Sequence, residues 1–321
     1  MMVCRSFLIL IIFLSMIPAY AAGVRQKLIN KQRYCNLYDL MTGNKYRTVL
    51  QKKQTIATGK KFVCIFGRNQ RRMSVNNVKV ELLNPLVFEG NVPWVSNLDW
   101  YKTMRPVLYP ATVARRRVNT IMIDMGHGGN DPGAIGAFSK EKMITLRVGL
   151  RVAQILRAYG FRVVMTRTKD VQIPLAAIGP MQQRSKSDLF VSIHVNATIN
   201  RKVSGIETYC LTPAGAASSN GGKASDKIHP GNRQDDGNML LAWNIQTALL
   251  RRTKAVDRGV KRARFAVLRD INAPGVLIEI GFITNAAEEK KLNDREYVDK
   301  IAYGIVDGII GYTRSTLPVK K

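Results

Sequence analysis

Acidic residues are scarce: 22 Asp and Glu stand against 50 Lys and Arg in 321 residues, a formal net charge of +28. Such a field attracts polyanions, whether nucleic acid, an anionic membrane or an acidic wall polymer. Aromatic residues make up only 7%. With no RNP-type aromatic motif and no zinc-finger cysteine spacing, the common nucleic-acid-binding modules drop out. Mean hydropathy is −0.09, which excludes a polytopic membrane protein. Glycine (25) and proline (12) are at ordinary levels, so collagen-like and low-complexity architectures are excluded too. What is present is a 46% apolar fraction, enough for a real core and too much for wholesale disorder.

One marked apolar run, Phe7–Ile17, opens the chain behind a single cation, Arg5. Pro18 ends it, and Ala19-Tyr20-Ala21 forms a small-x-small cleavage pattern. The run is far short of the ~20 residues a bilayer span needs. We expect residues 1–21 to be a cleaved secretory signal peptide, with the mature protein in the periplasm, cell wall or medium. No cysteine sits at the cleavage site, which argues against a lipoprotein anchor. Export weakens the nucleic-acid reading of the charge and favours an anionic envelope polymer. Cys4 leaves with the signal, so Cys35, Cys64 and Cys210 remain. Cys35 and Cys64 either bridge or, like Cys210, serve as small buried hydrophobes.

The mature chain reads as two regions. Over 23–120 there are 19 Lys/Arg against 4 Asp/Glu, a positive charge more than twice as dense per residue as in the rest. Residues 23–110 read as a small, basic, β-rich α+β domain. KFVCIFG (61–67) and VKVELL (78–83) are its clearest strands, and Asn76-Asn77 suits a tight turn between strands. Residues 111–118 read as a linker, and 119–315 as a larger α/β domain with a mostly parallel sheet flanked by helices. Strands are expected at 119–125, 161–167, 188–197, 205–211, 265–269 and 275–282. Helices are expected at 142–159, 175–187 (interrupted near Gly179-Pro180), 238–253 and 295–311. The first of these places Leu146, Leu150, Ala153 and Leu156 on one face. Residues 212–237, rich in Gly, Ser, Asn and Asp, read as a loop.

Histidine occurs three times. His127, in Asp124-Met125-Gly126-His127-Gly128-Gly129, and His194, in Ser192-Ile193-His194-Val195-Asn196, fall at or near the ends of predicted strands, the edge where α/β sheets bind ligands. A phosphate loop is excluded there, because no G-K-[ST] follows and no G-x-G-x-x-G opens a helix. Glu141 begins the next helix. Two imidazoles and a carboxylate suit Zn²⁺ with an open position for water. The same residues also read as two structural histidines and a glutamate placed well for a helix dipole. Glu279 interrupts the apolar run Val276–Phe282. A carboxylate there is either a general base or one half of an ion pair with an arginine. Asp124 reads as an outer partner of a histidine or a turn residue. Asn196, Glu207 and Arg269 read as groove or structural residues, and His229 as a surface histidine.

These stretches — IDMGHGGNDPGAIG, SKEKMITL, SDLFVSIHVNA, GIETYCL and RFAVLRDINAPGVLIEIGFITNAAEEKKL — together resemble the zinc-dependent N-acetylmuramoyl-L-alanine amidases of the amidase 3 type, over about 120–312. The resemblance implies one Zn²⁺ held by His127, Glu141 and His194, with Glu279 as the catalytic glutamate. It implies peptidoglycan as substrate, cut between the lactyl group of N-acetylmuramic acid and the L-alanine of the stem peptide. Alternatives on the same scaffold are a zinc endopeptidase or a non-catalytic wall-binding protein. Met125 stands where the family usually has proline, and Val195 where alanine is common; neither removes a ligand. Some relatives carry an autoinhibitory helix between the second histidine and the catalytic glutamate, and no extra helix is read here. A protein activator is left open. VNNVKVELLNPLVFEGNVPWVSNLDW resembles the domain named after the copper amine oxidase N-terminus, with Asn77 in place of glycine. The family name does not imply copper, and the stretch holds no histidine. We expect this region to target or orient the enzyme through anionic wall or envelope polymers, with no nucleic-acid partner.

Overall fold

The computed structural model describes residues 23–318. The expected signal peptide lies outside the described residues. The first region forms β1 (Gln26–Ile29), β2 (Gln32–Asn36), α1 (Leu37–Gly43), β3 (Arg47–Leu50), β4 (Gln54–Thr58), β5 (Val63–Gly67), β6 (Arg72–Val75), β7 (Val78–Glu81), β8 (Val87–Glu89) and β9 (Val92–Ser96). Two short helices follow, α2 (Asn97–Asp99) and α3 (Arg105–Leu108), joined by a π-helical turn over Trp100–Met104. Asn76 and Asn77 have φ of 49° and 66°. They form the two-residue turn of the β6–β7 hairpin, where positive φ at both positions matches strand twist and asparagine tolerates it.

The second region forms β10 (Thr120–Met125), α4 (Glu141–Ala158), β11 (Arg162–Met165), α5 (Leu175–Ser185), β12 (Leu189–Asn196), β13 (Ile206–Leu211), β14 (Ala216–Ser218) and β15 (Gly221–Ser225). It continues with α6 (Asp235–Thr253), β16 (Asp257–Ala263), α7 (Ala266–Arg269), β17 (Gly275–Phe282), α8 (Ala286–Asn293) and α9 (Arg295–Thr316). Four expectations need correction. In place of the strand expected at 265–269, residues 266–269 form the short helix α7; the strand lies just before it, in β16. The stretch 212–237 holds the β14–β15 hairpin, a 3-10 turn at Pro230–Gln234 and the start of α6. Helix α5 runs through Pro180, which forfeits only one ladder hydrogen bond. On α4 Ala153 and Leu156 are buried as expected and Leu146 packs against the core, but Leu150 is 39% exposed, and Ile144, Val148 and Val152 supply the rest of the buried face.

One eleven-stranded sheet runs β11-β10-β12-β17-β13-β16-β7-β6-β5-β4-β3. Strands β11, β10, β12 and β17 are parallel, β13 is antiparallel to β17, and β16 is parallel to β13. The two regions therefore share a sheet, joined where Val260 of β16 meets Val80 of β7. They also share a core, because α6 packs against β7 and α3, and Phe62 meets Trp243 edge-on at 5.7 Å. The stretch 111–118 is packed as well: Val113 and Val118 are buried, and Arg116 donates its backbone N–H to Thr316 at the end of α9. Cys35 and Cys64 are free buried thiols, one in the β1-β2-β9-β8 sheet and the other in the large sheet. Among the described residues no helix is long and apolar enough to cross a membrane.

This continuity yields a first prediction. Removing residues 23–118 strips Val260 of its neighbour Val80 and Trp243 of Phe62, and uncovers the face of α6 that packs on β7 and α3. At ~1.5–3 kcal/mol per uncovered core side chain, the loss rivals a typical total stability of about 5–15 kcal/mol. The fragment 119–318 is expected to aggregate or melt at least ~10 °C lower. Thermal melts of both forms test this, and equal melting temperatures would make the first region an independent appendage.

Candidate functional site

Three parallel strands end at one edge of the sheet and carry the site. Every residue of β10, Thr120 and Asp124 included, is buried, as a parallel central strand covered on both faces requires. Past its end the Gly126 N–H donates to the Ile193 carbonyl at 3.1 Å, and His127 turns with φ of 66°. A non-glycine residue held in the left-handed region is costly and points to function. Arg167, buried, locks the turn by donating to the carbonyls of Met125, Gly126 and Lys142. Glu141 is the first residue of α4, where the helix dipole favours a carboxylate. His194 lies near the end of β12 and is in register with Glu279 on β17, which in turn faces Glu207 on β13.

His127, Glu141 and His194 converge, with one donor atom from each lying within 4.8 Å of the others. Glu141 Oε2 is 3.3 Å from His127 Nε2 and Oε1 is 3.0 Å from His194 Nδ1. The backbone N–H groups of Ala134 and Val195 fix that carboxylate at 2.8 and 3.0 Å. Burial acts to raise the Glu141 carboxyl, but hydrogen bonds from both imidazoles outweigh it and hold it well below the usual carboxylate range. The bond to Glu141 lifts His127 to about 9 against burial. Burial works to lower His194, yet Glu141 and the charge of Glu279 raise it overall. Glycines leave room for the cluster. A Cβ on Gly126 would lie 2.3 Å from His194, and one on Gly133 2.6 Å from both Glu141 and His127. Two imidazoles, one ionised carboxylate and a cradle without side chains fit a divalent metal of the zinc type.

Glu279 stands beside this cluster with its Oε2 buried and without a hydrogen-bond partner. Burial pushes its carboxyl up to about 8 against the pull of His194, and the charges of Glu141 and Glu207 add to the rise. The alternative of an arginine ion pair is not realised among the described residues. The arginine partner belongs to Glu207 instead. Glu207 is buried and accepts from Asn196 Nδ2, Tyr209 OH, Arg258 Nε and Lys261 Nζ at 2.8, 2.9, 3.1 and 2.5 Å. Asn196 and Glu207 thus form a braced pair beside Glu279. Asp124 is buried and accepts from Ser192 Oγ at 2.7 Å, with no hydrogen bond to a histidine. That task falls to Asp131, which sequence reasoning missed: its Oδ2 is 2.7 Å from His127 Nδ1. Holding the proton on Nδ1 leaves Nε2 as a lone-pair donor. Its place four residues after His127, in the same turn, was the available signal. Arg269 ends α7 and does not line the cleft, whereas Phe265, Ala266 and Val267 do, with Ile173, Leu175 and Ile178 opposite. His229 caps the 3-10 turn away from the site.

The family model of the N-acetylmuramoyl-L-alanine amidases (amidase 3) matches residues 121–311. The chain is 36% identical over 225 residues to the amidase LytC of Bacillus subtilis (strain 168), covering 70% of this chain and 40% of that protein. It is 33% identical to the amidase AmiC of Escherichia coli O6:H1, covering 55% of it. Over 255 residues it is 31% identical to the amidase AmiA of Salmonella typhimurium, covering 88% of it. The chain thus spans about half or less of the first two of these relatives. Among solved structures, the N-acetylmuramoyl-L-alanine amidase of Clostridium difficile 630 superposes with a TM-score of 0.52 at 35% identity, covering 61% of this chain and 97% of that one.

Proposed function

The chain belongs to the N-acetylmuramoyl-L-alanine amidase family, and on that premise we propose that it hydrolyses the amide between the lactyl group of N-acetylmuramic acid and the L-alanine of the stem peptide. The observation that carries the reading is the placement of Glu279, unpartnered and in register with His194, one strand from the His127/Glu141/His194 cluster. We assign Zn²⁺ to that cluster. When bound, the ion supplies a Lewis acid that acidifies water and polarises a carbonyl. Glu141, ionised and fixed by two backbone N–H groups, contributes the negative charge that a divalent ion requires. Asp131 keeps the His127 ring turned toward the cluster. Glu279 Oε2 takes a proton from the attacking water and passes it to the amine nitrogen of the departing L-alanine. The apolar cleft beside His127 and His194, about 270 Å³ in volume, gives the substrate a partly dry seat.

The protein acts outside the cytoplasm in this reading, because its polymer is there. The excess of cations holds it on acidic wall or envelope polymers, an attraction that salt weakens. Mass spectrometry of purified sacculi treated with the protein tests the reaction. Stem peptides starting at L-alanine are expected, lost on chelation and restored by zinc. Disaccharide-linked peptides would instead mean an endopeptidase.

A further inference from the structure

The row His194, Glu279, Glu207 does not stop at the edge of the family match. The same sheet face continues through β16 into β7 and β6, and there it opens into a second cavity of about 270 Å³ lined by Arg72, Lys79, Glu81, Arg258 and Lys261. Strands β6 and β7 precede residue 121, where the family match begins. Gly259 allows the close approach that makes the cavity, because a Cβ there would lie 3.0 Å from Lys79. The acids around it are largely engaged. Asp257 accepts from the backbone N–H groups of Lys79 and Gly259 and from Gln246. Glu207 holds Arg258 and Lys261 from below, and Glu81, which stands opposite Arg72 in the β6–β7 pairing, has its nearest cation in Arg71 at 3.9 Å. Two guanidinium groups keep donors to spare. Arg258 uses Nε alone as a hydrogen-bond donor, to Glu207, with its guanidinium lying over the Phe282 ring at 4.9 Å. Arg72 is exposed and makes no hydrogen bond or ion pair among the described residues.

We infer that this cavity is a carboxylate subsite for the stem peptide being cut, built jointly by Arg72 of the first region and Arg258 of the second. The inference rests on the amidase reading for its register. Strands are spaced ~4.8 Å apart, so the middle of the cavity, between β16 and β7, lies roughly 12 Å from the strand of Glu279. An extended peptide advances ~3.3–3.6 Å per residue. A peptide laid across the sheet from the scissile amide therefore brings its third or fourth residue there. A planar fork is the natural partner of a carboxylate.

The test is calorimetric binding of a synthetic stem tetrapeptide, against the same peptide with the carboxylates of residues three and four converted to carboxamides. The free form is expected to bind about tenfold tighter to the wild type. Arg72→Glu should remove that preference by weakening the free form alone, and Arg72→Lys should retain part of it. Arg72 is exposed and unbonded but stands opposite Glu81 in the β6–β7 pairing, so Arg72→Lys should melt as the wild type does and Arg72→Glu only slightly lower, while both stay folded at the binding temperature. Equal weakening of both peptides, or none, overturns the subsite. Displacement of the peptide by glycerol phosphate at matching affinity would assign the cavity to a wall phosphate and overturn it equally. Hydrolysis of an intact muropeptide is followed in parallel. Cleavage with Arg72-independent binding sinks the subsite alone, while Arg72-dependent binding without cleavage leaves the subsite and removes the amidase reading.

Discussion

Glu279→Gln should lower turnover about 10²–10⁴-fold, the usual worth of a general base, with metal still bound stoichiometrically. The variant is nearly isosteric, and Glu279 is not one of the three converging donors. A second readout separates this role from a structural one. In the metal-free protein burial raises the Glu279 carboxyl to about 8, well above its value in an unfolded chain. Between the two values the folded state binds the extra proton, so stability falls as pH rises through that window and levels off above about 8. The variant carries no such penalty. At pH 9 the metal-free variant should therefore melt higher than the wild type, while at pH 4 the two should melt alike. Activity of the wild type should fall on the acid side, because a protonated base accepts nothing. The full apo value need not set that limb, since a cation in the triad favours the ionised carboxylate. Full activity in Glu279→Gln would remove the residue from the mechanism. A lower melting temperature at pH 9 would show that its charge is structurally paired.

Much of this site is legible in the sequence because each key residue breaks a local pattern. Glu279 interrupts a run that otherwise reads as a buried strand, and His127 sits among glycines whose absent side chains the structure needs. What stayed hidden depends on non-local pairing. Strand β16, Asp257–Ala263, carries Arg258, Lys261 and Arg262 in seven residues and shows little of the hydropathy of a strand. The structure explains why. Arg258 and Lys261 brace Glu207, and Arg262, buried, donates to the carbonyls of Leu211 and Lys102. Charge is spent there on joining the two regions. Helix α7 is four residues long, too short for a 3.6-residue period to emerge. The union of β7 with β16 links residues about 180 positions apart, as Val80 and Val260 show, and no local signal announces it. Asp131 was overlooked for a different reason. An acid in a Gly-Asn-Asp-Pro-Gly turn has a sufficient local explanation, and only the folded loop brings it to the imidazole.

Gly126→Ala should cost about 10²-fold in metal affinity, the upper range for changes in the surroundings of metal ligands, without altering any ligand. The added Cβ would lie 2.3 Å from His194 Cε1 and 2.6 Å from both ring nitrogens. A contact under 3 Å forces a movement, and the choices are few. The backbone at Gly126 is pinned by Ile193 and its carbonyl accepts from Thr145 Oγ1 at 2.8 Å. The ring is the freer partner, but rotating it away takes His194 Nδ1 from Glu141 and a donor from the cluster. Activity should fall at least as far as metal occupancy at limiting zinc and recover in part when zinc is raised, a pattern distinct from Glu279→Gln, which excess metal does not rescue. Gly43→Ala is the control, with no atom within 4 Å of the added carbon and no positive φ. It should bind zinc and turn over as the wild type does. Should Gly126→Ala hold zinc at wild-type affinity, the ion must sit elsewhere, and the convergence of His127, Glu141 and His194 would be a hydrogen-bonded cluster with no metal to explain. If the loss appears, the glycine-rich turn is a clearance for the second histidine as much as a mount for the first.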